Sequence, residues 1–136
     1  MGLAERRAAK EFEDTQFPAL RDEIMKLAGA PIALEINWNQ LAVEGYAHMY
    51  KEAWPEIYFK PVIEALRQIG RDAMGRDALK GALKKIEFRN STGSYSPHSA
   101  ITFQNGAIVI DHEPCSNVGD TKDRTKHLIE IVEKAL

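Results

Sequence analysis

The stretch Ile101–Ile110, ITFQNGAIVI, decides the fold more clearly than any other part of the chain. Apolar and polar side chains alternate on both sides of Asn105-Gly106. An Asn-Gly pair between two alternating runs is typical of a two-residue hairpin turn, because both turn positions require positive φ. Such a turn places Phe103 opposite Ile108 and aligns the two ends of the stretch, so that the apolar side chains share one face. The sequence therefore predicts a β-hairpin.

Two further alternating runs lie upstream of this hairpin. Ile86 and Phe88 alternate with charged residues, and the segment Ile32–Trp38 is apolar at every second position. The strand around Ile86 and the hairpin make three strands, and Ile32–Trp38 adds a fourth or lies at the edge. We expect a small antiparallel sheet of three to four strands.

The remaining segments carry apolar residues at helical spacing, and prolines and glycines divide them. Pro18 kinks the first helix or starts a second one, Trp54-Pro55 interrupts a central helix, and Gly75 ends the helix that starts near Pro61. A last helix begins at Asp120 or Thr121. The chain is thus predicted to form a single α+β domain, residues 1–136, with the helices packed on one face of the small antiparallel sheet.

Length and composition exclude several classes of protein. The chain has 136 residues, which is short for two average domains, and a formal net charge of −2, which gives no general attraction to nucleic acid or to anionic membranes. It has no long apolar run, no signal-peptide pattern at its N-terminus, and a single cysteine, which cannot form an internal disulfide. We expect a soluble cytoplasmic protein that binds neither nucleic acid nor membrane.

Residues Asp111, His112 and Cys115, with His98 nearby in sequence, are the candidate metal ligands. Extending the hairpin register places His98 opposite Glu113, on the face away from His112, so the two histidines share an ion only if the strands end before them. The chain also lacks paired Cys-x-x-Cys and His-Glu-x-x-His motifs. We therefore predict no metal site and no cofactor.

Cys115 is also a candidate nucleophile, with His98 or His112 as its base. That chemistry requires a base within hydrogen-bond reach and a lowered thiol pKa. A helix start shortly after Cys115 would favour the thiolate. The alternative is an inert cysteine that packs as a small apolar side chain.

The segment Asn90–His98 is long for a hairpin connection, and long loops on a rigid sheet often carry binding residues. Tyr95 and His98 are its amphipathic members and therefore its candidate contacts. The alternative is a solvated connector.

Tyr46, Tyr50 and Trp54 are spaced i, i+4 and i+8, which stacks them along one helix face. The stripe is either part of the core or a surface that anchors a partner, since tyrosine and tryptophan are frequent at interfaces.

Chemically capable residues are few and carry no spacing that demands a reaction mechanism. We therefore expect a small non-enzymatic binding or accessory protein that contacts a protein partner or a second copy of itself. The alternative is a small enzyme, or a ligand- or metal-binding protein, with a site where the Asn90–His98 segment meets Asp111, His112 and Cys115. No catalytic residue is assigned, and the candidate binding residues are Tyr46, Tyr50, Trp54, Tyr95, His98, His112 and Cys115.

Overall fold

The structure is a computed structural model, and it describes residues 2–136. Its α-helices are α1 (Leu3–Thr15), α2 (Phe17–Ala28), α3 (Trp38–Leu41), α4 (Tyr50–Trp54), α5 (Lys60–Ile69), α6 (Ala73–Ala82), α7 (Pro97–Ala100) and α8 (Thr121–Ala135). Its strands are β1 (Ala33–Ile36), β2 (Lys85–Arg89), β3 (Ile101–Gln104) and β4 (Ala107–Asp111). A 3₁₀ turn covers Ala47–Met49, and a π turn covers Pro55–Phe59. The α+β class predicted from the sequence is confirmed.

The four strands form one mixed sheet in the order β1-β2-β4-β3. Strand β2 runs parallel to both β1 and β4, and β4 is antiparallel to β3. The expectation of an antiparallel sheet is therefore wrong. Because β4 lies between β2 and β3, the chain passes from β2 through α7 to the far edge of the sheet before it returns in β4. The segment after β2 is thus part of a crossover rather than a hairpin loop.

Strands β3 and β4 are joined by Asn105-Gly106, with φ angles of 53° and 78°. Ile101 lies opposite Ile110, and Phe103 lies opposite Ile108. A side chain at Gly106 would place its Cβ 2.6 Å from the carbonyl oxygen of Ala82, so this close approach requires glycine.

One face of the sheet lies under the helices, and the other is open. Ile86, Phe88, Ile108 and Ile110 on the covered face are fully buried. They belong to one hydrophobic cluster with the inner residues of the helices. The opposite face carries mostly polar residues, whose side chains are exposed or half-buried.

Pro55 does not interrupt the central helix, contrary to the prediction. The helical backbone runs from α4 through the π turn into α5, and Trp54 and Pro55 both have helical dihedral angles. The turn closes with a hydrogen bond from the Lys60 N–H to the Pro55 carbonyl. A π turn accommodates proline because it rearranges the backbone hydrogen bonds around the missing N–H.

Gly75 does not end a helix either. Helix α5 ends at Ile69, and the side chain of Asp72 caps α6 by accepting a hydrogen bond of 2.8 Å from the Gly75 N–H. A Cβ at Gly75 would lie 1.8 Å from the carbonyl oxygen of Ile69, so glycine is required inside the first turn of α6. Close packing, rather than helix termination, explains this glycine. No helix within residues 2–136 is long and apolar enough to cross a membrane.

Candidate functional site

The three residues of the predicted aromatic stripe do not share one surface. Helix α4 begins only at Tyr50, so Tyr46 precedes it, and its side chain is 42% exposed. Tyr50 and Trp54 are 2% and 0% exposed, with their rings stacked at a centroid distance of 4.4 Å. The Tyr50 hydroxyl donates a hydrogen bond of 2.8 Å to the carbonyl of Val43, and burial raises the pKa of Tyr50 to about 12. Tyr50 and Trp54 are therefore core residues.

His112 follows β4 and is fully buried. Its Nδ1 faces the carbonyl oxygen of Glu113, so Nδ1 carries the proton and donates it. Burial lowers the pKa of His112, since the charged imidazolium would lose its water. A neutral ring that does not reach solvent cannot exchange protons with a bound substrate, and His112 is positioned as a structural residue.

Cys115 lies half-buried in the turn that follows His112. Its backbone N–H donates a hydrogen bond of 2.9 Å to Oε1 of Glu113. Burial, together with the nearby carboxylate of Glu113, raises the pKa of the Cys115 thiol to about 12. The environment therefore opposes the thiolate that a nucleophile needs.

The segment that links β2 to α7 is tied to the end of β4. The Ser91 N–H donates a hydrogen bond of 2.7 Å to Oδ1 of Asp111, and the Ser91 hydroxyl donates to the other carboxylate oxygen. The Glu113 N–H donates to the carbonyl of Ser94 at 2.7 Å. These bonds hold the segment in place. The Tyr95 side chain is 63% exposed beyond them.

His98 lies on α7 rather than on β3, because β3 begins at Ile101. Its ring packs edge-on against His127 of α8, with ring centroids 4.7 Å apart. His127 was missed by sequence reasoning, since it lies far from His98 along the chain. Among residues 2–136, no group of three or more histidine, cysteine or carboxylate side chains is placed to hold a metal ion.

Arg124 is a second residue that sequence reasoning missed. Its guanidinium is fully buried and donates hydrogen bonds of 2.8, 2.8 and 3.2 Å to the carbonyl oxygens of Asn117, Val118 and Glu56. These bonds anchor the turn after Cys115 to the π turn. The signal was available, because Arg124 shares the inner stripe of α8 with Leu128 and Val132 at i+4 and i+8.

The open sheet face carries a ladder of alternating charges. Lys85 Nζ lies 3.0 Å from Glu35 Oε2 and 3.2 Å from Glu87 Oε1. Arg89 continues the ladder from Glu87 to Asp111, with its Nε 3.0 Å from Asp111 Oδ2. The charges on this face are thus satisfied within the chain.

The outer edge of β1 has unpaired backbone groups. The N–H groups of Ala33 and Asn37 donate to carbonyls of the β2 segment at 3.1 and 3.0 Å. The backbone N–H and C=O groups of the odd-numbered residues of β1 therefore point toward β2. The backbone groups of Leu34 and Ile36 therefore point away from the sheet, and within residues 2–136 they have no hydrogen-bond partner. A cavity of about 380 Å³ lies beside the carboxyl end of β1. It is lined by Glu35, Ile36, Asn37, Trp38, Asn39 and Glu87.

The opposite edge of the sheet is different, because α7 and α8 pack against β3. In the described part of the chain, β2 is the only helix or strand with which β1 makes extensive contact. The main-chain groups of Leu34 and Ile36 are therefore free to pair at an edge that no other element among residues 2–136 contacts extensively.

No protein family model matches this chain, and neither does any curated protein or any solved structure.

Proposed function

We propose that this protein is a non-enzymatic binding protein that acts through protein–protein contacts, with the outer edge of β1 as its binding site. The observation that carries the proposal is the unpaired main chain of Leu34 and Ile36. An extended segment of another protein chain that aligns with β1 satisfies these groups and adds a strand to the sheet.

The sequence of β1 supports this proposal, because this short strand lacks several of the features that usually protect an edge strand. Within Ala33–Ile36 there is no proline and no lysine, and the pairing with β2 is regular and has no bulge. Its one charged residue, Glu35, is paired with Lys85 on the open face. An edge of this kind is a ready template for another strand.

The open face of the sheet gives further support. Parallel strands usually have both of their faces covered by protein. Here β1, β2 and β4 run parallel and carry helices on one face only. A partner that pairs with β1 lies at the border of this open face and can extend over it.

The placement of the reactive side chains favours binding over catalysis. His112 is buried and held neutral, and the Cys115 thiol has a raised pKa. Both serve the packing of the turn between β4 and α8 rather than an exposed site. A protein partner in the cytoplasm is part of the proposal, supported by the unpaired cysteine and the near balance of charge.

Site-specific photocrosslinking tests the proposed binding site. A benzophenone side chain is placed at Ala33, which is exposed on β1, and at Met74, which is 82% exposed on α6, as a surface control. We expect position 33 to crosslink to a defined protein and position 74 not to do so.

Two substitutions at Ile36 test whether the crosslink from position 33 depends on the outward main-chain groups of β1. Ile36→Pro removes one outward N–H without touching a bond to β2, and Ile36→Val keeps that N–H as the matched control. The crosslink should disappear with Ile36→Pro and persist with Ile36→Val. Equal crosslinking from positions 33 and 74, or a crosslink that survives in a folded Ile36→Pro protein, would rule out strand addition at β1.

A further inference from the structure

We infer that the strand that completes β1 is the β1 strand of a second copy of this chain. The two strands are antiparallel and are related by a twofold axis that lies between Leu34 and Leu34 of the second copy, which we call an axis through Leu34. This inference rests on the proposed function, because it names the occupant of the same edge. It makes the protein an isologous dimer with one continuous sheet of eight strands.

Backbone parity limits the possible registers of such a pair. In an antiparallel pair, the residues that exchange hydrogen bonds across the new interface must be those that point outward, here Leu34, Ile36 and, by the same parity, Ile32. Parity allows a twofold axis at any residue from Ile32 to Ile36. An axis at Ile32 or Ala33 sets Ile36 opposite Ala28 or Ala30, which precede the strand, so the outward groups of Ile36 stay unpaired. The axes at Leu34, Glu35 and Ile36 remain. Registers shifted by one residue would oppose an outward group to one already bonded to β2.

Side chains select among these three registers. An axis through Glu35 sets two glutamates directly opposite each other, which is destabilising. An axis through Ile36 brings Trp38 into the pairing, yet Trp38 already starts α3. An axis through Leu34 uses only residues 32–36, which precede that helix.

The favoured register is complementary on both faces. On the covered face, Leu34 lies opposite Leu34 of the second copy, and Ile32 lies opposite Ile36 of the second copy. These three side chains are only partly buried in one chain, so pairing removes further apolar surface from water. On the open face, Ala33 lies opposite Glu35 of the second copy, and like charges do not meet.

The effect of a charge at residue 33 on the stability of the dimer tests this register directly. In the dimer, Ala33→Lys places an ammonium group opposite Glu35 of the second copy at two symmetric positions, and Ala33→Glu places a carboxylate there. Within one chain, the cross-strand neighbour of Ala33 is Lys85, so the effect of each substitution on folding has the opposite sign. Folding and association are therefore separable.

Sedimentation equilibrium of the purified full chain measures the dimer dissociation constant of each variant. We expect Ala33→Lys to tighten the dimer and Ala33→Glu to weaken it, each by about two- to tenfold. Thr102→Lys and Thr102→Glu, at an exposed position of β3 on the same face, serve as controls and should leave the dissociation constant unchanged. Urea unfolding of each variant verifies that it is folded.

A wild-type protein that remains monomeric across the micromolar range would overturn the inference. So would a dimer that the two Ala33 variants leave unchanged or shift in the same direction. If the wild type is monomeric but the crosslink from position 33 joins a different protein and requires the Ile36 N–H, the second-copy inference fails and the proposed function stands. If that crosslink is also missing, both fail.

Discussion

The Tyr58 hydroxyl donates a hydrogen bond to the backbone carbonyl of His112, and both residues are fully buried. This bond joins the π turn of the central helix to the end of β4, across 54 residues of sequence. Burial raises the pKa of Tyr58 well above its ordinary value, so the hydroxyl remains protonated and acts as a donor. The irregular turn in the helix thus holds the carboxyl end of a parallel strand.

Tyr58→Phe removes this donor and leaves the His112 carbonyl buried without a partner. We expect the free energy of unfolding to fall by about 1–3 kcal/mol, the usual cost of an unsatisfied buried polar group. Urea denaturation measures this loss. Tyr46→Phe, at a tyrosine that is 42% exposed, is the matched control and should change stability by less than about 0.5 kcal/mol.

Arg124→Met keeps the apolar stem but removes the guanidinium that binds three backbone carbonyls. We expect a loss of about 3 kcal/mol in unfolding free energy, because hydrogen bonds from a charged donor are among the stronger ones. Hydrogen exchange should also accelerate in residues 115–120. Lys122→Met, at an exposed position of the same helix, should do neither. Unchanged exchange in that turn would contradict the anchoring role of Arg124.

Cys115 should react slowly with thiol reagents in the folded protein. Since its pKa is raised to about 12, the thiolate fraction near pH 8 is far below that of a free cysteine. We expect modification by a disulfide reagent to be at least roughly tenfold slower than for glutathione, and to reach the ordinary rate in urea. Reaction faster than glutathione would revive the nucleophile hypothesis for Cys115.

Stability should fall as the pH drops from about 7 to 5. Burial lowers the pKa of His112, so the unfolded chain takes up a proton that the folded chain does not. The contribution of His112 is complete above the unfolded histidine pKa of about 6.5 and is lost below it. His112→Asn, which keeps a donor but does not titrate, should flatten urea-unfolding stability over this range. His48→Asn, at an exposed histidine, should leave the slope unchanged.

Local sequence signals predicted the strands better than their arrangement. The alternation of apolar and polar residues around Ile86 and in Ile101–Ile110 indicates which side chains face the core. The length of the turn indicates how β3 aligns with β4. Neither reports which strand becomes the neighbour of β2. That choice depends on how the helices pack with the sheet in one common core, so the parallel pairing of β2 with β4 was not visible locally.

The candidate residues show the same division. The sequence around Trp54 fits a core position and a surface position equally well, because a stripe of aromatic residues is apolar in both cases. In the structure, the helix continues through Pro55 and Trp54 is buried. The β1 edge carries no unusual side chain, since its open groups belong to the main chain. Its position became evident only when the order of the strands was known.

The central claim, that the β1 edge is an open pairing site, is tested most directly by residue-resolved amide hydrogen exchange measured at rising protein concentration. In the dilute protein, the amides of Leu34 and Ile36 should exchange much faster than that of Glu35, whose N–H faces β2. As concentration rises, Leu34 and Ile36 should become protected, while the amide of Gly93 in the exposed segment after β2 should not. Slow exchange of Leu34 and Ile36 in the dilute monomer would contradict the claim, because it would mean that the chain itself already covers this edge.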